Sequence, residues 1–297
     1  MAKFSEETLT NWTKPPSNSE STKLENSERM VKDAISQDTK LKTKSTETFG
    51  QGSYANDTNV RLNSDIDINV RYTGGYFFQL PPDTTEEDVN IAHISSSAYS
   101  YSEFKNDVEN ALVNKFGRSE VIRKDKCITI KENSYRVETD VVPTWNFRRY
   151  SNNGNYVLGA RFWADSGKVI TNYPKQHIEN GIDKNSRTSK RFKRLTRIHR
   201  RLRYKMIEDG QPISDNITSF LLECLVWNTP NDVFNNINTW TERLKLSIGH
   251  IYKKTQNEDD CKDWGEVSEL LYLFVGRKWS RQDVNDYMIQ VWNYLEY

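Results

Sequence analysis

The stretch Phe49-Gly50-Gln51-Gly52-Ser53-Tyr54, followed further on by Ser64-Asp65-Ile66-Asp67-Ile68-Asn69-Val70, decides how this chain reads. Eleven residues separate Ser53 from Asp65. From Asp65 to Val70 polar and apolar residues alternate strictly, the pattern of a half-buried strand. Side chains two apart on a strand share a face. Asp65 and Asp67 are therefore expected to project together, with Ile66, Ile68 and Val70 packed behind them. Two neighbouring carboxylates repel unless positive charge lies between them, and a bound divalent cation supplies it. The Gly52–Ser53 turn offers the complementary half, backbone N–H groups and a hydroxyl suited to phosphate oxygens. A lone Asp-x-Asp is usually a solvated strand face and a lone Gly-Ser usually a turn; their order and spacing together favour a metal-bound nucleoside triphosphate.

A second alternating run, Ser134-Tyr-Arg-Val-Glu-Thr-Asp-Val-Val-Pro143, places Arg136, Glu138, Asp140 and Val142 on one face. If it lies beside the first strand, Asp140 completes a three-carboxylate cluster, with Glu138 on the same face as the rival. Asp140 is preferred because Val141-Val142-Pro143 is expected to end the strand, leaving it near the sheet edge.

Gly-Ser, about ten residues, Asp-x-Asp on a strand and a third Asp on a later strand is the pattern of the DNA polymerase β-like nucleotidyltransferases. Within that superfamily the chain resembles the CD-NTases, bacterial relatives of cyclic GMP-AMP synthase and oligoadenylate synthase. The resemblance spans most of the chain and implies an α+β fold. A mixed twisted β-sheet core with an N-terminal arm and helix (1–173) is followed by a helical C-terminal lobe (174–297), with the active site in the cleft between. It implies two Mg²⁺ ions, with Mn²⁺ as the alternative, held by Asp65, Asp67 and Asp140, and donor phosphates on Gly52 and Ser53. In the basic run Phe192–Arg203 the family's triphosphate-gripping lysine aligns with Arg200, and Lys193 and Arg197 are alternates. Arginine keeps the charge but presents a planar fork. In Ile217–Leu225, Ser219 would touch phosphate and Phe220 would stack on a base. The implied substrates are NTPs (ATP, GTP, CTP or UTP). The implied product is a cyclic di- or trinucleotide that acts on a separate effector in antiphage defence. The rival readings are a nucleotidyltransferase that does not cyclise, acting on RNA, protein or a small molecule, and a nucleotide-binding module that has lost turnover.

Composition sets the outer limits. A chain of 297 residues is near the limit for one core, so two lobes are expected. Lys and Arg number 42 against 41 Asp and Glu, so charge is informative only locally. Ten basic and no acidic residues lie between Arg187 and Lys205; such a run is usually a solvated helix face, or else a nucleic-acid stripe. Cys127, Cys224 and Cys261 are far apart and the four histidines are scattered, which gives no zinc site and no disulfide framework. The resemblance adds that an animal DNA sensor of this family carries a zinc element, so no DNA requirement is expected here. No membrane span and no signal peptide are read, and a cytoplasmic location is expected. Most of the eight Trp, fifteen Tyr and twelve Phe are assigned to packing.

Along the chain, residues 1–17 read as an extended arm and Ser19–Ile35 as a helix. Strands are expected at 44–49, 119–123, 126–131, 134–142 and about 156–164, an irregular insertion at 74–97 and a helix at 101–116. Further helices are expected at 174–184, 188–206, 214–228, 231–254 and 280–296.

Overall fold

The computed structural model describes residues 3–61, 65–89, 91 and 99–297. In chain order the elements are α1 (Glu6–Trp12), α2 (Asn18–Gln37), β1 (Thr46–Gln51), α3 (Gly52–Ala55), β2 (Ile66–Gln79) and α4 (Tyr101–Phe116). There follow β3 (Val121–Arg123), β4 (Ile128–Ile130), β5 (Thr139–Tyr150), β6 (Tyr156–Trp163), β7 (Val169–Asn172) and α5 (Pro174–Arg187). The remainder comprises α6 (Arg191–Glu208), α7 (Ser219–Trp227), α8 (Asn231–Asn235), α9 (Trp240–Thr255) and α10 (Arg281–Tyr294). They form two compact units, residues 18–54 with 64–175, and residues 1–17 and 55–63 with 176–297.

The first unit is built on a seven-stranded sheet in the order β1-β2-β5-β4-β3, with β6 pairing the later half of β5 and β7 pairing β6. Among the described residues only β2 and β5 run parallel; the other neighbours are antiparallel. The alternation around Asp65 does what it should. Ile66, Ile68 and Val70 are fully buried and join Leu24, Val31 and Ile35 of α2 and Phe104, Val108 and Leu112 of α4 in one cluster. Each such side chain contributes about 1.5–3 kcal/mol by leaving water. A capping box, Ser100 with Glu103, opens α4, and Gly117 at φ +90° ends it.

The run 74–97 is not irregular from its start: β2 continues to Gln79, its register with β5 slipping between Tyr72 and Tyr76, where Gly74 and Gly75 lie. Residues 90 and 92–97 of that run lie outside the described residues. Nor does Pro143 end a strand, since β5 begins at Thr139 and runs on to Tyr150. Proline is tolerated because it falls where β5 changes partner. Pairing with β4 stops at Val141 and pairing with β6 begins at Trp145. The Pro143 carbonyl instead accepts from the Tyr101 hydroxyl at 3.1 Å, so no ladder bond needs the missing N–H.

The second unit is helical. Phe192, Leu195, Ile198, Leu202 and Met206 form the apolar stripe of α6 and pack with α7, α9 and α10. Residues 3–17 do not trail as an arm. Ser5 caps α1, Glu6 and Glu7 occupy its first turn, and Leu9 is 1% exposed inside the helical core. The Glu6 carboxylate in turn receives the first backbone amides of α9, Trp240 at 2.6 Å and Thr241 at 2.9 Å. The division near 173/174 thus falls at 175/176, and the N-terminal segment and residues 55–63 go with the helices.

Candidate active site

Parallel pairing of β2 with β5 sets Asp67 directly opposite Asp140. Neighbouring strands lie about 4.8 Å apart, and in-register side chains of a parallel pair share a face. The two carboxylates therefore stand side by side on the face turned away from α2 and α4. Asp140 accepts a hydrogen bond from the Thr129 hydroxyl of β4, whose register partner it is. Lys124 Nζ lies 3.8 Å from both Asp140 Oδ1 and Glu138 Oε1. Burial, with the Asp140 charge adding to it, pushes the Cys127 thiol up to about 11.

The glycine turn sits on this pair. Gly52 follows Gln51, the residue paired with Asp67 across β1 and β2. It holds φ +65°, and a Cβ built on it would stand 2.1 Å from Asp67 Oδ2. Backbone approaches the carboxylate as only glycine permits. Ser53 follows in the first turn of α3.

Asp65 is exposed and lies one residue before β2 begins. Glu138 is also just outside its strand, its carbonyl accepting from the Ile66 amide at 3.1 Å. Of the two candidates for the later acid, Asp140 is the one paired with Asp67. Among the described residues no group of three His, Cys, Asp or Glu side chains is already gathered as a metal site. Two hard carboxylates on one face with a glycine turn against one of them still suit a divalent cation carrying a triphosphate.

The helical unit carries the other candidates. Arg200 is 3% exposed, its Nη1 3.5 Å from Thr58 Oγ1 and its Nε without a partner. Beside it Glu223 takes the Thr58 hydroxyl at 2.9 Å and His177 Nε2 at 3.1 Å. Burial alone would raise the Glu223 carboxyl, but the charges of His177 and Arg200 hold it below its ordinary value. Arg197 is spent on the carbonyls of Thr13 and Asp57. Lys193 is buried too, and burial pulls its ammonium down. Ser219 opens α7 with its Oγ 3.1 Å from the Tyr204 hydroxyl, and Phe220 keeps 38% of its surface exposed.

Sequence reasoning missed Lys124, Cys127 and Thr129. The alternation of Cys127-Ile128-Thr129-Ile130 carried the signal, because it puts Thr129 on one face of a strand flanking β5.

A mixed sheet bearing paired carboxylates under a glycine turn defines a nucleotidyltransferase core. Residues 179–296 match the cGAS/DncV-like nucleotidyltransferase C-terminal helical domain. The chain is 68% identical over 298 residues to the cyclic dipyrimidine nucleotide synthase CdnE of Cecembia lonarensis, covering 100% of both. It is 38% identical to the cyclic dipurine nucleotide synthase of Elizabethkingia meningoseptica, covering 99% of both. The solved structure of the Elizabethkingia meningoseptica CdnE cyclic dinucleotide synthase with GTP and Apcpp superposes with a TM-score of 0.82 at 34% identity, covering 99% of this chain and 100% of that one. The chain belongs to the CD-NTases, the cGAS/DncV-like nucleotidyltransferases, and is an enzyme of that class. Among the described residues no helix is long and apolar enough to cross a membrane.

Proposed function

We propose that this enzyme joins pyrimidine nucleoside triphosphates into a cyclic dinucleotide that signals to a separate effector in antiphage defence. The choice of pyrimidines rests on the 68% relative being a dipyrimidine synthase, whereas the dipurine synthase stands at 38%. A cytoplasmic location fits three unpaired cysteines.

The observation that carries the residue roles is the Asp67–Asp140 register pair with Gly52 seated against it. Asp67 and Asp140, with Asp65 as the third acid, would hold two Mg²⁺ ions, with Mn²⁺ as the alternative. When bound, the ions neutralise triphosphate charge and favour the ionised acceptor hydroxyl. The Gly52 amide and the Ser53 hydroxyl donate to donor phosphate oxygens. Arg200, with Lys193 as alternate, and Ser219 are assigned to the triphosphate, and the exposed Phe220 ring to a base. An acceptor ribose hydroxyl attacks the α-phosphorus, a P–O bond forms, the α–β anhydride breaks and pyrophosphate leaves. A second such step closes the ring. Positioning and charge stabilisation suffice, with no covalent enzyme intermediate.

Incubation with the four NTPs singly and in pairs, followed by phosphatase and mass spectrometry, tests this. A phosphatase-resistant cyclic product from UTP or CTP without primer is expected. Products built only from purines would overturn the base assignment, and linear or primer-dependent products the cyclisation.

A further inference from the structure

Two residues beyond Asp67 on β2, Asn69 faces the same side of the sheet. It is 1% exposed, and both ends of its carboxamide are engaged. Nδ2 donates to Gln51 Oε1 on β1 at 3.0 Å, and Oδ1 accepts from Thr144 Oγ1 on β5 at 2.7 Å. One amide therefore ties together the three strands that present the candidate site. Its two partners are placed to matter. Gln51 is opposite Asp67 and immediately precedes Gly52, whose backbone lies against the Asp67 carboxylate. Thr144 lies four residues beyond Asp140, on the same face of β5.

A residue that only stabilised the sheet could be apolar here, as Ile66, Ile68 and Val70 are on the opposite face. The site has instead a group with one donor end and one acceptor end, each matched to a different strand. Leucine has neither end, and aspartate lacks the donor. Such a clamp fixes the lateral spacing of Gln51, Asp67 and Asp140.

We propose that Asn69 is a positioning residue: its hydrogen bonds to Gln51 and Thr144 hold the Gly52 turn and the Asp67–Asp140 pair at the separation that a metal-bound triphosphate requires. The proposal rests on the nucleotidyltransferase reading of that site. Residues one step behind a metal's ligands typically cost about 10- to 100-fold in affinity or activity when lost.

The test compares wild type with Asn69→Leu, Thr144→Val and Thr144→Ser. Two quantities are read: the Mg²⁺ concentration giving half-maximal pyrophosphate release, and the calorimetric affinity for a non-hydrolysable NTP analogue in Mg²⁺. Urea unfolding is run in parallel, and Thr144→Val carries the test should Asn69→Leu fail to fold. Asn69→Leu and Thr144→Val should weaken both quantities by about 10- to 100-fold. Thr144→Ser, which keeps the hydroxyl, should restore them. Unaltered analogue affinity in Thr144→Val, a loss that merely follows the folded fraction, or no rescue by serine would overturn the proposal. An active wild type beside an unaltered Thr144→Val overturns the positioning role alone. A wild type that releases no pyrophosphate from any NTP removes the nucleotidyltransferase reading and this proposal with it.

Discussion

Replacing Gly52 by alanine separates chemistry from folding more cleanly than removing a carboxylate would. Gly52 holds φ +65°, and the added Cβ would meet Asp67 Oδ2 at 2.1 Å and its Cγ at 3.0 Å. The left-handed backbone costs an L-residue about 1–2 kcal/mol. The contact is the larger effect on catalysis. Ordinary non-bonded separations are about 3.5 Å, so the carboxylate must retreat by roughly 1.4 Å. A misplacement of about 1 Å in a catalytic constellation can cost about 100-fold in rate. Gly52→Ala should therefore lower the kcat for pyrophosphate release about 100-fold while urea unfolding shows a loss of only about 1–2 kcal/mol. Gly117→Ala is the matched control. Gly117 has φ +90° at the end of α4, and nothing lies within 4 Å of its added Cβ. It should lose about 1–3 kcal/mol of stability to backbone strain and keep its kcat. Near-wild-type turnover by Gly52→Ala, or an equal loss in Gly117→Ala, would refute the reasoning.

At the strand spacing of about 4.8 Å, the Asp67 and Asp140 charges repel by roughly 3.5 kcal/mol at an effective dielectric of about 20, less where Lys124 and solvent screen them. Asp67→Asn should abolish pyrophosphate release yet unfold in EDTA at no lower urea concentration than wild type. His199 is wholly buried beside Ser247 Oγ at 3.1 Å, and burial lowers its pKa from 6.5 to about 4. As the pH falls the unfolded chain takes that proton first, so stability present above pH 6.5 is lost on the way down to pH 4. The loss reaches about 3 kcal/mol and should be absent in His199→Leu, read by urea titrations across that window. Leu9→Ala should destabilise the helical core by about 3 kcal/mol, measured by chemical denaturation; an unchanged midpoint would mean that α1 is not held there.

The acid strand and the α4 helix were legible because each carries a clear period: the chain alternates from Asp65 to Val70, through the start of β2, and α4 spans the same Tyr101–Phe116 as its apolar repeat. The preference for Asp140 over Glu138 rested on a reason that the structure overturns. The expectation took Pro143 as a terminator, whereas a change of partner strand leaves the proline's missing donor without consequence. Helix α1 was hidden by its length, since seven residues make too few turns for a period and Pro15-Pro16 colours the segment as extended. The single helix expected over 231–254 is two, α8 and α9, with Thr239 capping the second. Strand β7 is four residues with no buried member, so it carries no pattern. Hydrogen bonds that tie strands far apart in sequence, such as Asn69 with Gln51 and Thr144, leave no periodic trace at all.

The packing of α1 among helices from the other end of the chain has a consequence for synthesis. Glu6 waits for Trp240 and Thr241, and the Lys3 amide for the Leu295 carbonyl, with which it pairs at 3.4 Å. On a ribosome adding about 5–20 residues per second, roughly ten to fifty seconds pass between the emergence of the first helix and that of its partners. For that interval Phe4, Leu9 and Trp12 form an unsheltered sticky patch on the nascent polypeptide, the segment a trigger-type holdase would be expected to cover first.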